Sequence, residues 1–366
     1  MRRVLLGIDF IGDNWHAALS SIERWWEFVS TSAHYWVLVG VSNFCQRQEI
    51  LPGSVDVTPD SVHRILTSFI PADRLTHWTS DIDGRVLVEA QRQGCRSVPL
   101  YSAFNYGSIV NRLILMAHAK GCEYLVRIDP GTCPPEGVSF DALMSEHERS
   151  IDDNTYAVVS RQYAGRLALR HMFAKEGREL AHTKLVRRMT GVHVDAQITG
   201  GAMFTQRMPG VPAVCFPPPK EGLTLVWASD DGIYQTLKCT KAHCRVLQSC
   251  PVPRFDSVGK IKGPLEYYRG IVGAAFLHSL ENHASRRKAE GELDHFMDEL
   301  KAGILDESKC SHYDGNSDWA TNFCLRGLAP SDFLDAIEIG YANHTRLLSE
   351  WDGIADALRP LVRDLV

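Results

Sequence analysis

Three places in the chain carry carboxylates or glycines where chemistry would need them. Asp230 and Asp231, in WASDDGIYQTLK, directly precede Ile233, Tyr234 and Leu237, whose spacing predicts a helix. The pair therefore stands at a helix start, where the helix dipole stabilises negative charge and one carboxylate serves as a cap. Two adjacent carboxylates are more than a cap requires, and a carboxylate within reach of a substrate hydroxyl is a candidate general base. Asp129 closes a short, nearly continuous apolar run, Tyr124, Leu125, Val126 and Ile128, as expected of a strand buried on both faces. It leaves the strand at the edge where open α/β sheets bind ligands. One or two carboxylates, with phosphates and waters, satisfy Mg²⁺, although Asp129-Pro130-Gly131-Thr132 equally describes a turn capped by its own Asp. The third place is Gly200-Gly201, in GGAMFTQR, where the lack of a Cβ beside a strand lets a substrate or another backbone approach closely.

The elements that must position these groups are legible around Asp129. Val98 to Phe104 is predicted as a strand, and Asn105, Tyr106 and Gly107 form a turn cluster after it. Ser108 can cap a helix in which Ile109, Leu113, Met116 and Ala117 form one apolar stripe facing a sheet, and the helix stops at Gly121. Nearer the N-terminus, Val4 to Ile8, Ala17 to Phe28 and Tyr35 to Val41 give strand, helix, strand, the βαβ pattern of a parallel sheet, with Leu19, Ile22, Trp26 and Val29 facing the core. Further helices are predicted at Ser61 to Phe69, Gly84 to Gly94 and Phe140 to Arg149, and a strand at Tyr156 to Arg161. Asp81 and Asp83 are read as a helix-capping loop.

This order of motifs resembles the GT-A fold glycosyltransferases, family-2-like, over roughly two thirds of the chain. The matching residues are Asn105, Gly107, Asn111, Ala119, Gly121 and Asp129, where the family has an Asn-x-Gly turn, a helix bearing a further Asn and an Asp-x-Asp that holds a divalent metal. Here Gly131 stands at the second Asp. The resemblance implies a GT-A-like, mostly parallel sheet flanked by helices, a nucleotide-diphosphate sugar donor, and Mg²⁺ or Mn²⁺ held by Asp129. It implies nucleotide contacts from Asp9, Asn43, Asn105, Gly107 and Asn111, and a sugar pocket walled by Gly200 and Gly201. It further implies an inverting mechanism with Asp231 as base and Asp230 as its orienting neighbour, the two exchanged by a one-residue shift of the match. Arg254, in PVPRFDS, falls where the family often places a metal-binding His. A retaining transferase, a sugar nucleotidyltransferase and a non-catalytic sugar-nucleotide-binding module are the alternatives. The acidic, glycine-poor loop Asp9-Phe10-Ile11-Gly12-Asp13 argues against the nucleotidyltransferase.

Composition sets the outer bounds. With 366 residues, 45% hydrophobic and 23% charged, the chain can bury a large core in two domains. We expect a catalytic domain over 1–260 and an α-helical region over 261–366, the latter from helical spacing in Leu265 to His283, Ala289 to Ile304 and Pro330 to Leu348. A net charge of −5 with scattered basic pairs gives no footprint for nucleic acid. No stretch reads as membrane-spanning, and Asp9 and Asp13 interrupt the N-terminal apolar run too soon for a secretory leader. Ten dispersed cysteines then fit reduced thiols in the cytoplasm, and Cys239, His243, Cys244 and Cys250 lack the spacing of a structural zinc site. His312, in the polar loop Ser308 to Trp319, is a further candidate to approach the metal. The acceptor is not specified, and self-association into a homo-oligomer stays open.

Overall fold

The computed structural model describes residues 1–10, 15–43, 59–78, 80–92, 106–128, 132–152, 155–162, 203–213, 243–252 and 330–363, with a few positions between 285 and 295. Their elements are β1 (Arg2–Phe10), α1 (Trp15–Ser30), β2 (Tyr35–Asn43), α2 (Pro59–Thr67), β3 (Leu75–Trp78) and α3 (Ser80–Arg92). They continue with α4 (Tyr106–Ala119), β4 (Tyr124–Ile128), α5 (Phe140–Ser150), β5 (Thr155–Gln162), β6 (Met203–Arg207), β7 (His243–Val252) and α6 (Pro330–Arg363). The strands form one seven-stranded sheet in the order β3-β2-β1-β4-β6-β5-β7. β6 is antiparallel to both its neighbours, and every other pairing is parallel. This is the GT-A-like, mostly parallel sheet flanked by helices, with a helix from the C-terminal region packed on it.

Strand alternation divides the core into two layers. Val4, Leu6 and Ile8 of β1 join Val37, Val39 and Val41 of β2 beneath α1, α2 and α5. Leu5 and Leu38 point the other way, into the layer beneath α3, α4 and α6. Gly7 and Gly40 lie on this second face. A Cβ at Gly7 would come within 3.0 Å of Leu125 and 3.1 Å of Leu113 of α4, and one at Gly40 within 2.9 Å of Leu5. The missing side chains let α4 sit close against the sheet.

Helix α4 ends as its sequence requires. Gly121 takes φ +66°, Cys122 N–H donates to the Ala117 carbonyl at 2.9 Å and Gly121 N–H donates to the His118 carbonyl at 3.0 Å, the paired bonds of a Schellman cap. The expected one-sided stripe on α4 is corrected: every residue from Val110 to Ala117 is buried. The reason is α6, which covers the outer face with Leu347, Trp351, Ile354, Ala355, Leu358 and Val362 in one continuous cluster.

Two further expectations shift. The core face of α1 is Ala18, Ser21, Ile22, Trp25 and Val29, with Trp25 fully buried and Trp26 only partly so. The ring of Trp25 packs edge-on to Phe28, and Phe28 in turn to Phe140 of α5. Asp81 and Asp83 fall within the first turn of α3, not in a loop before it. Strands β3 and β7 are absent from the sequence expectations, β3 because it has four residues and β7 because HCRVLQSCPV is half polar.

Candidate functional site

From β1 the chain builds outward to β2 and β3 on one side, while β4 returns to the other side of β1. The crevice outside the carboxyl ends of β1 and β4 is therefore the switch point where open α/β sheets place ligands. Ile8 pairs with Ile128, Asp9 with Ser42 and Phe10 with Asn43, so β1, β2 and β4 finish at one level. Because α4 precedes β4 and packs back along the sheet, its first turn, with Gly107, lies at this same edge. β6 begins there too, with Met203 opposite Ile128, so the chain following Gly200-Gly201 enters the sheet beside the end of β4.

The walls are fixed by buried polar contacts. Asn111 is fully buried in α4, where its amide Nδ2 donates to the Ala213 carbonyl at 3.1 Å and its Oδ1 accepts the Ala213 N–H at 2.7 Å. This two-bond clamp holds the segment after β6 against α4. Thr132, three residues past Asp129, is pinned to α1: its carbonyl accepts from Ser21 Oγ and its Oγ1 from Trp25 Nε1 at 3.2 Å. On the same face as α1, His147 of α5 meets Thr205 Oγ1 of β6 at 2.7 Å, and burial pushes its pKa down to about 4.

Sequence reasoning missed two charges in this region. Arg112 of α4 and Arg127 of β4 are 1% and 2% exposed, and both interact within the chain. Arg127 alternates with Val126 and Ile128 and so points to the α4 layer, two positions before Asp129. The signal for both arginines was present, as polar residues inside otherwise apolar runs.

Of the predicted site residues, Asn105, Asp129, Gly200, Gly201, Asp230, Asp231 and Arg254 lie outside the described residues, as does His312. Asp9 and Asn43 have described backbone at adjacent strand ends, their side chains lying outside the description, and Gly107 is in the first turn of α4. Asn111 belongs to the wall, its amide committed to Ala213. Among the described residues, no three His, Cys, Asp or Glu side chains gather to hold a metal ion. Cys122 is buried and in no disulfide, and burial raises its thiol to about 12. No helix among the described residues is long and apolar enough to cross a membrane.

No protein-family model and no curated protein matches the chain. Among solved structures it is similar to glucosyl-3-phosphoglycerate synthase from Mycobacterium tuberculosis in complex with Mg²⁺ and UDP, at 14% identity over 76% of this chain and 79% of that one, TM-score 0.41. It is also similar to mannosyltransferase PcManGT from Pyrobaculum calidifontis in complex with GDP-Man and Mn²⁺, at 13% identity over 96% and 88%, TM-score 0.40. A third is apo mouse xyloside xylosyltransferase 1, at 10% identity over 57% and 68%, TM-score 0.33. Superposition at this level is a general likeness, and the description of the fold rests on strand order and direction.

Proposed function

We propose that the chain is a cytoplasmic glycosyltransferase that moves a sugar from a nucleotide-diphosphate donor to an acceptor nucleophile with inversion. The observation that carries this reading is the convergence of the β1 and β4 ends, the Ser42-Asn43 end of β2 and the first turn of α4 at the sheet's switch point. Two of the similar solved structures are complexes, one with Mg²⁺ and UDP and one with GDP-Man and Mn²⁺. Asp129 would supply oxygen ligands of the kind these hard cations take. The cation would neutralise charge on the departing diphosphate. Asp9, Asn43, Asn105 and Gly107 serve the nucleotide, Gly200 and Gly201 the sugar, and Arg254 the diphosphate. Residues 1–260 form the catalytic unit and 261–366 its helical addition.

In the transfer step the acceptor O–H gives its proton to the Asp231 carboxylate, with Asp230 orienting it. The acceptor oxygen bonds to the anomeric carbon from the face opposite the departing group, and the bond from that carbon to the diphosphate oxygen breaks with its electron pair. Asp231→Asn preserves volume and cannot accept the proton at neutral pH, so turnover should fall ~10²–10⁴-fold while melting temperature moves little. A cap alone would cost about 1 kcal/mol of stability and spare turnover. Near-wild-type turnover in Asp231→Asn, Asp230→Asn and the double variant would remove the inverting mechanism.

A further inference from the structure

At the end of the sheet opposite the crevice, where β1 and β2 begin, the fold leaves a cavity of about 340 Å³. Arg3 and Trp36, which pair across the two strands, both line it. The turn before β3 closes one side: Arg74 Nη1 donates to the Val37 carbonyl at 3.0 Å, and Leu75 follows it into the sheet beside Val39. The end of α4 closes another, with the Lys120 carbonyl accepting from Arg3 Nη1 at 3.3 Å. Trp36, Leu38 and Leu75 give the cavity an apolar lining, and Arg3, Lys120 and Asp73 give it charge.

The charges are not balanced. Two cations and one carboxylate leave one net positive charge at the cavity. Asp73 also has a cation of its own in Arg74, which its charge raises and whose guanidinium lies 3.2 Å from the centre of the Trp36 ring. Arg3 has no such answer: it is exposed, its Nη1 donates to a carbonyl, and it joins none of the ion pairs among the described residues. Lys120 donates to the Arg363 carbonyl at 2.8 Å, which fixes its ammonium where α4 and α6 end. Small-molecule sites occupy roughly 300–1,000 Å³ and combine an apolar wall with a few polar groups that orient the ligand. At ~30 Å³ for each non-hydrogen atom, this cavity accommodates about ten.

We propose that the cavity binds a small organic monocarboxylate with an apolar body, its carboxylate on Arg3 and Lys120 and its body on Trp36, Leu38 and Leu75. A guanidinium matches a carboxylate through two parallel N–H bonds. One net positive charge suits a monoanion, and Asp73 on the same wall repels the second charge of a phosphate dianion. The site stands at the amino ends of the strands, so the inference does not depend on the glycosyl-transfer reading.

The test is calorimetric titration of 3-phenylpropionate, hexanoate, acetate and the neutral 3-phenylpropanol into the full chain and into Arg3→Gln, Arg3→Lys and Asp73→Asn, with melting temperatures of the unliganded proteins alongside. One of the two larger carboxylates at least should bind with a Kd of about 0.1–1 mM, and acetate and the alcohol, each lacking half of the recognised chemistry, about tenfold more weakly or worse. Arg3→Gln should weaken the carboxylate about tenfold or more, the worth of a charge-assisted hydrogen bond, and Arg3→Lys should recover part of the loss. Asp73→Asn should tighten it about two- to fivefold, because a like charge leaves the wall. Arg3 and Asp73 are both exposed, so melting temperatures should hold, and opposite changes in affinity from two such variants do not arise from misfolding. Absence of millimolar binding for both larger carboxylates overturns the proposal, as does equal affinity for the alcohol or unchanged affinity in Arg3→Gln.

Discussion

Acidification from pH 7 to pH 5 should destabilise this fold severely, through three histidines held neutral inside it. Burial lowers His77, His147 and His344 each to about 4, and His77 is lowered further by His63, which stacks on it at 6.3 Å. In the unfolded chain each returns to about 6.5, so between these values the unfolded state binds more protons and stability rises with pH. The contribution is complete above pH 6.5 and is lost as pH falls toward 4. By pH 5 the loss is about 2 kcal/mol per histidine. The three sit on different elements, β3, α5 and α6, so their losses should add to about 6 kcal/mol, against a typical stability of 5–15 kcal/mol. Asp141, kept below its ordinary range by hydrogen bonds from Ser32, Ala33 and His34 in spite of partial burial, loses its contribution only at lower pH. The window from 6.5 to 5 therefore isolates the histidines. Urea midpoints by circular dichroism at pH 7, 6 and 5 should fall steeply, and His147→Gln should flatten the fall by about a third. Equal midpoints at pH 7 and 5 would refute the reasoning, as would a His147→Gln profile as steep as wild type.

Asn111→Leu removes both bonds to Ala213 and strands a buried main-chain N–H and carbonyl, so urea unfolding should show a loss of about 2–4 kcal/mol. Asp129→Asn should weaken nucleoside-diphosphate binding in the presence of Mn²⁺ with the circular dichroism spectrum unchanged, and EDTA should lower wild-type affinity to the level of the variant. Gly201→Val should abolish binding of a sugar nucleotide more than of the bare nucleotide, and equal losses would point to a misfolded strand instead.

The frame of the fold was legible because its elements have strong local signals. β1, β2, β4, α4 and its Gly121 stop follow from apolar runs and one glycine. What was not legible depends on partners distant in sequence. Periodicity put Trp26 inward with Leu19, Ile22 and Val29, whereas Trp25 is the buried ring, its indole bonded to Thr132. Asn111 fitted a ligand-binding motif, and only the position of Ala213, far along the chain, shows that its amide also clamps the segment after β6. β3 has four residues, too few for a period, and forms as an edge strand by pairing with Val39 to Ser42 of β2. The assignments of Asp230 and Asp231 to catalysis and of Gly201 to the sugar pocket rest on spacing and resemblance, because those positions lie outside the described residues.

The packing of α6 bears on how the site could be altered without touching it. The sequence divides the chain near residue 260, yet Leu347, Trp351, Ile354, Leu358 and Val362 share one cluster with Leu113, Leu125 and Phe204. Burying one such side chain is worth about 1.5–3 kcal/mol, so undocking α6 exposes more free energy than most domains have to spare. α4 is covered by α6 along its outer face, and it also carries Asn111 and the first turn at the strand edge. A cavity cut into the seam, for instance at Leu358, therefore loosens the same helix that aligns the site. Stability and substrate affinity should fall together for substitutions along this seam, whereas substitutions at the strand ends should separate them.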